Sequence, residues 1–553
     1  MGNTASFDYV IVGCGTAGAL LANRLSADTA NSVLVIEAGG FDHNPLLHIP
    51  LGALYMQGSH SLDWNYKTQP CTALNGRRLN VRSGKVMGGS SSTHAMQYLR
   101  GQAEDYNQWA TLTGESAWTW ESCLRDFIRH ENNYRFDNLQ STPSDDQLWS
   151  CHGSRGEWRI EPQRVRWKIL DAFVQAAQEV GIPVAEDFNK GNSEGVGYFE
   201  VSQNRGVRCN SVKAFLKPVL GKRKNLTVWT HSQGSRLRLF RNAFGRLECT
   251  GVKVLRGSEV LEVEARKEVV LCAGAVASPQ LLQLSGIGPR LLLQGLGIAV
   301  QRDLKGVGQN LQDHLLLRSV YQVKNAPTLN TSLKSVRSTL KMALDYALHR
   351  KGPLAMPLAQ LGIFSGRERN ATQSDLHLAV QAFSQTEPGQ SMHRFDAVTV
   401  YASHLRPSSR GSVKIHSANS QIAPFIDPNY LGTDEDKKAA IRALRLTRKI
   451  ASQPALAGFV QREVLPGEAF QSDDDLAEQI ATAGFAASNF VGTAKMGADS
   501  DDMAVVDAHL RVRGVQRLRV ADSSVIPTLV SAHASSTTLV VAEKAARWIL
   551  ASD

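Results

Sequence analysis

Residues 7–37 read FDYVIVGCGTAGALLANRLSADTANSVLVIE, and this stretch decides the fold. Residues 7–12 form a short apolar run rich in β-formers, and the glycine-rich stretch 13–18 follows at once. Residues 19–25 then repeat apolar side chains at helical spacing, and residues 32–37 form a second apolar run. The order strand, helix, strand predicts one βαβ unit with the glycine loop at its first turn.

The glycine spacing in this loop is the one that a dinucleotide requires. Gly13 would make the tight turn, Gly15 would let backbone N–H groups approach a pyrophosphate, and Gly18 would let helix pack against strand. Thr16 and Ala17 open the helix, whose N-terminus carries partial positive charge suited to phosphates. The loop and the helix that follows it therefore predict a phosphate-binding turn.

A carboxylate ends the second predicted strand. Glu37, with Ala38 after it, stands at about the distance along the chain where a dinucleotide site accepts from ribose hydroxyls. These residues alone do not choose between FAD and NAD, and the alternative is a glycine-rich turn without a ligand. Strand, helix and terminal carboxylate together favour the dinucleotide.

Length and composition describe an ordinary globular protein. The chain has 553 residues, enough for two to four domains or two large interleaved ones. It is 42% hydrophobic and 20% charged, with a formal net charge of +10. The basic residues are scattered, and no basic helix or arm stands out, which argues against nucleic acid as a partner. Weak peripheral association with an anionic membrane surface stays open.

Other patterns narrow the class further. The seven cysteines include no C-x-x-C pair and fit no disulfide framework, which favours reduced thiols and a cytoplasmic location. No secretory signal is apparent, and no apolar run is long enough to predict a transmembrane segment. There is no H-E-x-x-H, no cysteine and histidine cluster at zinc spacing, no G-x-S-x-G and no Walker loop. A metal is not expected.

The pattern along the chain predicts a discontinuous organisation. Residues 55–100 lack sustained periodicity and suggest a long loop over a cofactor, and residues 226–263 alternate as antiparallel strands do. From residue 329 to residue 478 the pattern of apolar residues changes, with helices expected at 335–349 and 435–453. The predicted fold class is α/β, a Rossmann-type dinucleotide-binding domain with an inserted α+β substrate domain on an antiparallel sheet. The first domain is expected to comprise residues 1–160, 205–320 and 485–553, and the second residues 161–204 and 321–484.

Further motifs choose the cofactor. Residues 82–92 read RSGKVMGGSSS, residues 274–279 GAVASP, residues 306–314 GVGQNLQDH and residues 520–522 VAD. Together they closely resemble the signatures of the glucose-methanol-choline (GMC) oxidoreductase family, whose members bind FAD. Besides Gly13, Gly15, Thr16, Ala17, Gly18, Glu37 and Ala38, the resemblance implies FAD contacts for Arg82, Gly84, Gly88, Gly89, Ser90, Ser92, His94, Ala95, Ala273, Gly274, Asp522, Ser523 and Ala534.

The resemblance also implies a reaction. Residues 44–78, with DWNY at 63–66, are similar to the bacterial alcohol and choline dehydrogenase branch, which suggests a primary alcohol as substrate. In such enzymes a base removes the hydroxyl proton while a hydride passes from the carbinol carbon to flavin N5. The electron acceptor, whether oxygen, a quinone or a carrier, stays open.

The expected catalytic pair departs from the family pattern. Relatives usually place a histidine three residues before the motif that reads GTAKMG here, at 492–497, but this chain has Asn489. The second catalytic position falls in 527–533, PTLVSAH, which places His533 there. Since an amide cannot act as a base near neutral pH, we expect His533 to be the base and Asn489 to hold the substrate oxygen.

This exchange keeps other readings open. An FAD-retaining lyase or isomerase that uses His533 is the main alternative, and an FAD-containing binding protein is a third reading. Photodecarboxylase chemistry is disfavoured, because Leu405 and Phe425 stand where an approximate alignment expects a cysteine and an arginine. Some relatives link FAD covalently through a histidine in the 82–95 loop, usually one residue before His94, so a histidine lying against the flavin without a bond is favoured.

Overall fold

The computed structural model describes residues 5–56, 58–137, 150–333, 335–366 and 373–551. Two seven-stranded sheets organise this part of the chain. The first sheet contains the βαβ unit predicted from residues 7–37, as strand Ala5–Val12, helix Thr16–Leu25 and strand Val33–Ile36. Its central strands are buried on both faces, which is why residues 9–12 and 33–36 read as unbroken apolar runs.

Five strands of the first sheet run parallel. In spatial order they are Leu226–Trp229, Val33–Ile36, Ala5–Val12, Glu259–Leu271 and Leu518–Val520. Strands Leu247–Arg256 and Ser232–Arg241 continue from Glu259–Leu271 as an antiparallel meander. The sequence-based expectation of antiparallel strands from 226 onward is therefore wrong for Leu226–Trp229, which pairs parallel to Val33–Ile36 because the chain reaches it by a crossover.

The second sheet is antiparallel throughout. In spatial order its strands are Val460–Leu465, Leu315–Val323, Ala397–His404, Ser374–Gln381, Leu361–Gly366 and Gly195–Tyr198, with Phe485–Ala486 added at Leu315 and Leu316. The domain boundary expected between 320 and 321 is wrong, because it would cut Leu315–Val323, which pairs within this sheet from its first residues. Leu315–Val323 therefore belongs to the second sheet as a whole.

Alternation along the second sheet separates a core face from a cavity face. On Ser374–Gln381, the side chains of Leu376, Leu378 and Val380 join an apolar core, whereas the odd-numbered positions between and after them line a cavity. The core face is covered by helix Asp434–Ala451, which also packs against helix Lys168–Glu179. The opposite face is thereby left for the functional site.

The remaining helices lie around the two sheets. They are Ala103–Thr113, Trp120–His130, Gly274–Leu284, Arg290–Gly295, Leu329–Ser332, Val336–His349, Pro454–Ala457, Asp473–Ala483 and Ala534–Ala551. Short strand pairs are Tyr66–Lys67 with Asn80–Val81, Glu131–Asn133 with Trp158–Ile160, Gln203–Asn204 with Val207–Arg208, and Ile287–Gly288 with Arg302–Asp303. A three-stranded sheet has the spatial order Gln309–Leu311, Gly411–Lys414 and Phe425–Asp427. None of the helices in the described ranges combines the length and apolar character that a membrane crossing needs.

Candidate active site

One cavity, of about 420 Å³, runs from the glycine loop of the first sheet to the open face of the second. We call the part lined by Gly13, Gly15, Glu37 and Asp522 the nucleotide end. The part lined by His377, Tyr401, Asn489 and His533 is the reaction end. Loop segments from 53–64 and 82–97 border the cavity between them.

The three glycines of the loop are required for different reasons. A Cβ on Gly13 would lie 2.4 Å from the Cys272 carbonyl oxygen, and φ there is +103°. A Cβ on Gly18 would lie 1.9 Å from the Gly13 carbonyl oxygen, so helix and strand could not approach. A Cβ on Gly15 would meet nothing closer than Gly89 Cα at 3.9 Å, and Gly15 borders the cavity. The space in front of Gly15 fits a pyrophosphate.

Glu37 borders the nucleotide end, and backbone N–H groups hold its carboxylate there. Its Oε2 accepts from the Cys14 N–H at 2.9 Å and its Oε1 from the Gly39 N–H at 2.7 Å. Burial raises the pKa of Glu37 to about 7, although both N–H donors favour the ionised form. The carboxylate thus joins the second strand to the glycine loop and still borders the cavity.

Asp522 connects the last strand of the first sheet to the GAVASP motif. Its Oδ2 accepts from the Gly274 N–H at 2.8 Å and from the Ser278 hydroxyl at 2.5 Å. Its Oδ1 accepts from the N–H and the hydroxyl of Ser524 at 2.8 and 2.5 Å. Gly274 has φ +84° and no atom within 4 Å of its would-be Cβ, which leaves the backbone open to a cofactor.

Most of the sequence-predicted cofactor residues border this cavity. Three do not. Gly18 packs helix on strand, Gly88 adopts φ +88° behind the loop, and the buried Ser92 hydroxyl donates to the Met87 carbonyl. Gly89 packs directly on the phosphate loop, since its Cβ would lie 2.9 Å from Gly15 Cα. Gly18, Gly88 and Ser92 therefore support the backbone that borders the cavity without lining it themselves.

His94 borders the cavity with one ring nitrogen already engaged. Its Nδ1 accepts from the Met96 N–H at 3.0 Å and lies 3.2 Å from Nη1 of Arg208, which can only donate. Burial and the charge of Arg208 lower the pKa of His94 to about 3. The ring is therefore neutral at physiological pH, with its proton on Nε2.

His533 is held by a residue that the sequence did not single out. Its Nε2 lies 2.8 Å from the Gln97 Oε1, and the Gln97 amide nitrogen donates to the Ala359 carbonyl at 3.4 Å. Because an amide oxygen only accepts, Nε2 carries the proton and the lone pair is on Nδ1. Nδ1 is enclosed and has no hydrogen-bond partner in the described part of the chain. Burial lowers the pKa of His533 to about 4, below the value of about 6.5 that is usual for histidine.

Asn489 is anchored through its backbone and oriented through its side chain. Its N–H donates to Asp313 Oδ1 at 2.6 Å, and the preceding Ser488 N–H donates to Oδ2 of the same carboxylate at 3.1 Å. Ser488 has φ +62°, a costly conformation for a non-glycine residue that the Asp313 contacts help to maintain. The Asn489 side chain therefore projects from a fixed backbone.

His314 determines which way the Asn489 amide points. Its Nε2 donates to the Leu405 carbonyl at 3.0 Å, so its Nδ1 accepts, and it lies 3.4 Å from the Asn489 Nδ2. The Asn489 Oδ1 is thereby left to accept from another group. His314 is the last residue of the GVGQNLQDH block, whose family resemblance gave no role for this histidine. Another histidine of the second sheet, His404, does not border the cavity, and its Nδ1 lies 3.5 Å from Asp436 Oδ1.

His377 is a second reaction-end residue that the sequence did not reveal. It stacks on Phe364 with ring centroids 4.5 Å apart and meets His533 edge-on at 6.1 Å. Its Nε2 is buried without a hydrogen-bond partner among the described residues. Only the alternation of Ser374–Gln381 gave a signal for it, because that strand places every second residue toward the cavity.

Charges are unevenly placed around the cavity. Among the described residues that line it, the carboxylates are Glu37, Asp63 and Asp522, all outside the second sheet. The one cationic lining residue in that same part of the chain is Arg82, whose side chain makes no hydrogen bond or ion pair there. The Arg82 N–H donates to the Ser488 hydroxyl at 3.0 Å, so this arginine is a close neighbour of the Asn489 segment.

Comparison with known proteins identifies the family. Residues 7–316 match the N-terminal GMC oxidoreductase family model and residues 407–542 the C-terminal one. The chain is 36% identical to an alcohol dehydrogenase [acceptor] of Pseudomonas putida, over 98% of this chain and 96% of that protein. It is 35% identical to an oxygen-dependent choline dehydrogenase of Photobacterium profundum, over 99% of this chain and 93% of that protein.

Solved structures show the same fold. Pyridoxine 4-oxidase from Mesorbium loti superposes with a TM-score of 0.86 at 31% identity, covering 98% of this chain and 99% of that one. A formate oxidase variant from Aspergillus oryzae gives a TM-score of 0.91 at 26% identity, covering 99% and 98%. The chain belongs to the GMC oxidoreductase family. It is an oxidoreductase, and its cofactor is FAD.

Proposed function

We propose that this enzyme oxidises an uncharged primary alcohol to the carbonyl compound. The observation that supports this most is the convergence of one neutral imidazole and one amide, from His533 and Asn489, on the cavity that the dinucleotide loop also borders. When bound, FAD supplies a hydride acceptor at flavin N5. The chain itself has to hold the hydroxyl group, take its proton and exclude water.

His533 and Asn489 divide the first two tasks. With its proton on Nε2, His533 has its lone pair on Nδ1, and a pKa of about 4 keeps the ring neutral at physiological pH. Because His314 takes one amide N–H of Asn489, the other N–H and Oδ1 are left to hold the substrate oxygen. The two roles are those expected from the sequence, with Gln97 and His314 as the residues that fix them.

The charges near the reaction end favour a neutral substrate over a choline-like cation. The second sheet contributes no carboxylate to the cavity within its described residues, and the charge of Arg82 acts on Tyr401, which lines the reaction end. The cavity is also lined by the aromatic rings of Tyr401, Phe485 and Phe490. Because aromatic rings can bind apolar groups as well as cations, the charged residues of the cavity decide between a neutral and a cationic substrate.

Anaerobic stopped flow tests the reaction class. Mixing the enzyme with a series of primary alcohols should bleach the visible absorbance of the oxidised flavin and yield the aldehyde. Product that forms without bleaching would instead support the alternative, an FAD-retaining lyase or isomerase that uses His533. Bleaching by no alcohol and no product from any substrate would favour an FAD-containing binding protein.

A pair of isosteres tests the charge preference. Choline and 3,3-dimethyl-1-butanol differ only in nitrogen or carbon at the branched centre, so the shape is constant. We expect kcat/KM for the neutral alcohol to exceed that for choline by about tenfold or more, since one uncompensated like charge costs on the order of 1 kcal/mol or more. Arg82→Met should narrow the difference. Faster oxidation of choline would contradict the neutral-substrate proposal while leaving alcohol oxidation intact.

A further inference from the structure

Helix Val336–His349 carries an unusual outer surface. Leu340, Leu344 and Leu348 are 69%, 56% and 67% exposed, although each is a large apolar side chain. They are four residues apart and therefore form one stripe along the helix, which we call the leucine ridge. Contiguous exposed leucines on a folded protein mark an interaction surface, unlike apolar residues scattered singly.

The ridge faces directly away from the protein. Met342 and Tyr346, on the other side of the helix, are 8% and 4% exposed, and the Tyr346 hydroxyl donates to the Gly206 carbonyl at 3.0 Å. At 100° per residue, the leucines lie opposite these two side chains. The helix is thus fixed to the protein by one face and presents the leucines as its outermost edge.

The charges beside the ridge are predominantly positive. Arg337 and Lys341 are exposed and interleave with the leucines, and Arg350 and Lys351 follow the helix. None of these four side chains forms an ion pair with another described residue, and Asp345 is the only acidic residue in 335–351. Basic side chains flanking an apolar helix face are the pattern of helices that lie in the interface of an anionic bilayer.

The ridge is close to the cavity wall. Helix Val336–His349 packs on the turn Pro353–Ala355, and Leu358, a few residues later, borders the cavity. Leu358 and Leu354 pack against the cluster that contains Leu54, which also borders the cavity. A surface that rests on this helix would therefore be near segments that border the cavity.

We propose that the leucine ridge docks the enzyme onto an anionic phospholipid surface. The leucines enter the boundary between headgroups and acyl chains, and the flanking cations contact lipid phosphates. A second copy of the chain is a poorer occupant, because a two-fold contact would set these four cations against themselves. In this proposal the chain lies on the membrane without crossing it, and the ridge gives a location to the peripheral association that the sequence left open.

Vesicle flotation of the holoenzyme tests the proposal. We expect binding to vesicles of phosphatidylcholine mixed with phosphatidylglycerol, little binding to phosphatidylcholine alone, and release as salt rises. A variant with Leu340→Ser, Leu344→Ser and Leu348→Ser should bind the mixed vesicles about tenfold or more weakly, since it loses most of the apolar contact. Arg337→Gln with Lys341→Gln should weaken binding and flatten its salt dependence.

The control variant carries Leu291→Ser and Phe244→Ser, at residues that are 83% and 87% exposed elsewhere. It should float as the unaltered enzyme does. All variants should keep their FAD absorbance and their activity with a dissolved dye as acceptor. Undiminished flotation of the triple leucine variant would overturn the proposal. So would a dimer, seen by light scattering, that the leucine changes dissociate while no vesicle binding occurs.

Discussion

The two ends of the cavity use their polar groups in opposite ways. At the nucleotide end, the Glu37 carboxylate accepts from two backbone N–H groups, and the Asp522 carboxylate accepts from four donors. At the reaction end, His377 Nε2 and His533 Nδ1 are enclosed without a hydrogen-bond partner in the described ranges. The carboxylates of the nucleotide end are thus satisfied by donors of the protein itself. The reaction end keeps ring nitrogens that have no partner among the described residues.

This difference follows from the separate tasks of the two ends, which are to hold the cofactor and to react with the substrate. A buried polar group without a partner costs about 1–3 kcal/mol, so a fold tolerates one mainly where a ligand will supply the partner. The nucleotide end has to hold its shape to bind a cofactor. The reaction end has to keep lone pairs and N–H groups for a substrate. Substitutions at the two ends should therefore fail in different ways.

The largest expected effect separates two glycines of the same loop. Gly18→Ala should destabilise the protein by about 3 kcal/mol or more, because its Cβ would lie 1.9 Å from a backbone oxygen. Gly15→Ala should leave the FAD-free protein near its normal melting temperature but abolish FAD binding, since its methyl group would fill the space in front of the loop. Thermal melts and flavin absorbance per chain measure both. A Gly15→Ala protein with full FAD content would show that the cofactor does not approach there.

The next effect concerns the base. His533→Ala should lower the limiting rate of flavin reduction by about 10² to 10⁴, the usual contribution of a general base, with FAD content unchanged. His416→Ala, at an exposed histidine, is the matched control and should leave the rate unaltered. Anaerobic stopped flow gives both rates. An unchanged rate in His533→Ala would remove this residue from the mechanism and leave the reaction end without its base.

The nucleotide end could be predicted from sequence because it is local. Gly13, Gly15 and Gly18 lie within one turn, and the backbone constraints that require them act over a few residues. His377 and Gln97 could not be predicted in the same way. His377 lies on a strand of the second sheet and Gln97 in the 82–97 loop segment. Only the tertiary fold brings both of them to His533. Periodicity could indicate which residues of Ser374–Gln381 share a face, but not that the face meets a cofactor.

The boundary between the two domains failed for a related reason. Leu315–Val323 follows the GVGQNLQDH block closely, and its composition does not reveal which sheet it joins. Strand pairing is decided by partners far along the chain, such as Ala397–His404. The lengths of the main helices were close to expectation because capping and 3.6-residue periodicity are local. The helices expected at 335–349 and 435–453 are Val336–His349 and Asp434–Ala451 in the structure.

A smaller effect tests the contact between Gln97 and His533. Gln97→Leu keeps the volume but removes the acceptor for Nε2–H, so the ring loses the group that fixes its tautomer. We expect the limiting rate of flavin reduction to fall about tenfold, with little change in KM, since positioning alone is lost. FAD content is the control for folding. Faster reduction in Gln97→Leu would mean that Gln97 competes with the substrate for Nε2, and that Nδ1 is not the base.

The smallest effect is expected from pH. Only neutral His533 can take a proton, and burial lowers its pKa to about 4, so the neutral form persists throughout the physiological range. The rate of flavin reduction should therefore be flat from mildly acidic to neutral pH and fall only as pH drops through about 4. Gln97→Glu would place a carboxylate beside Nε2 and raise this pKa by about 1–3 units, moving the acid limb upward. A limb already near 6.5 in the unaltered enzyme would mean that the imidazolium is solvated or paired during turnover, and that the reaction end is not the enclosed site that its unpartnered nitrogens indicate.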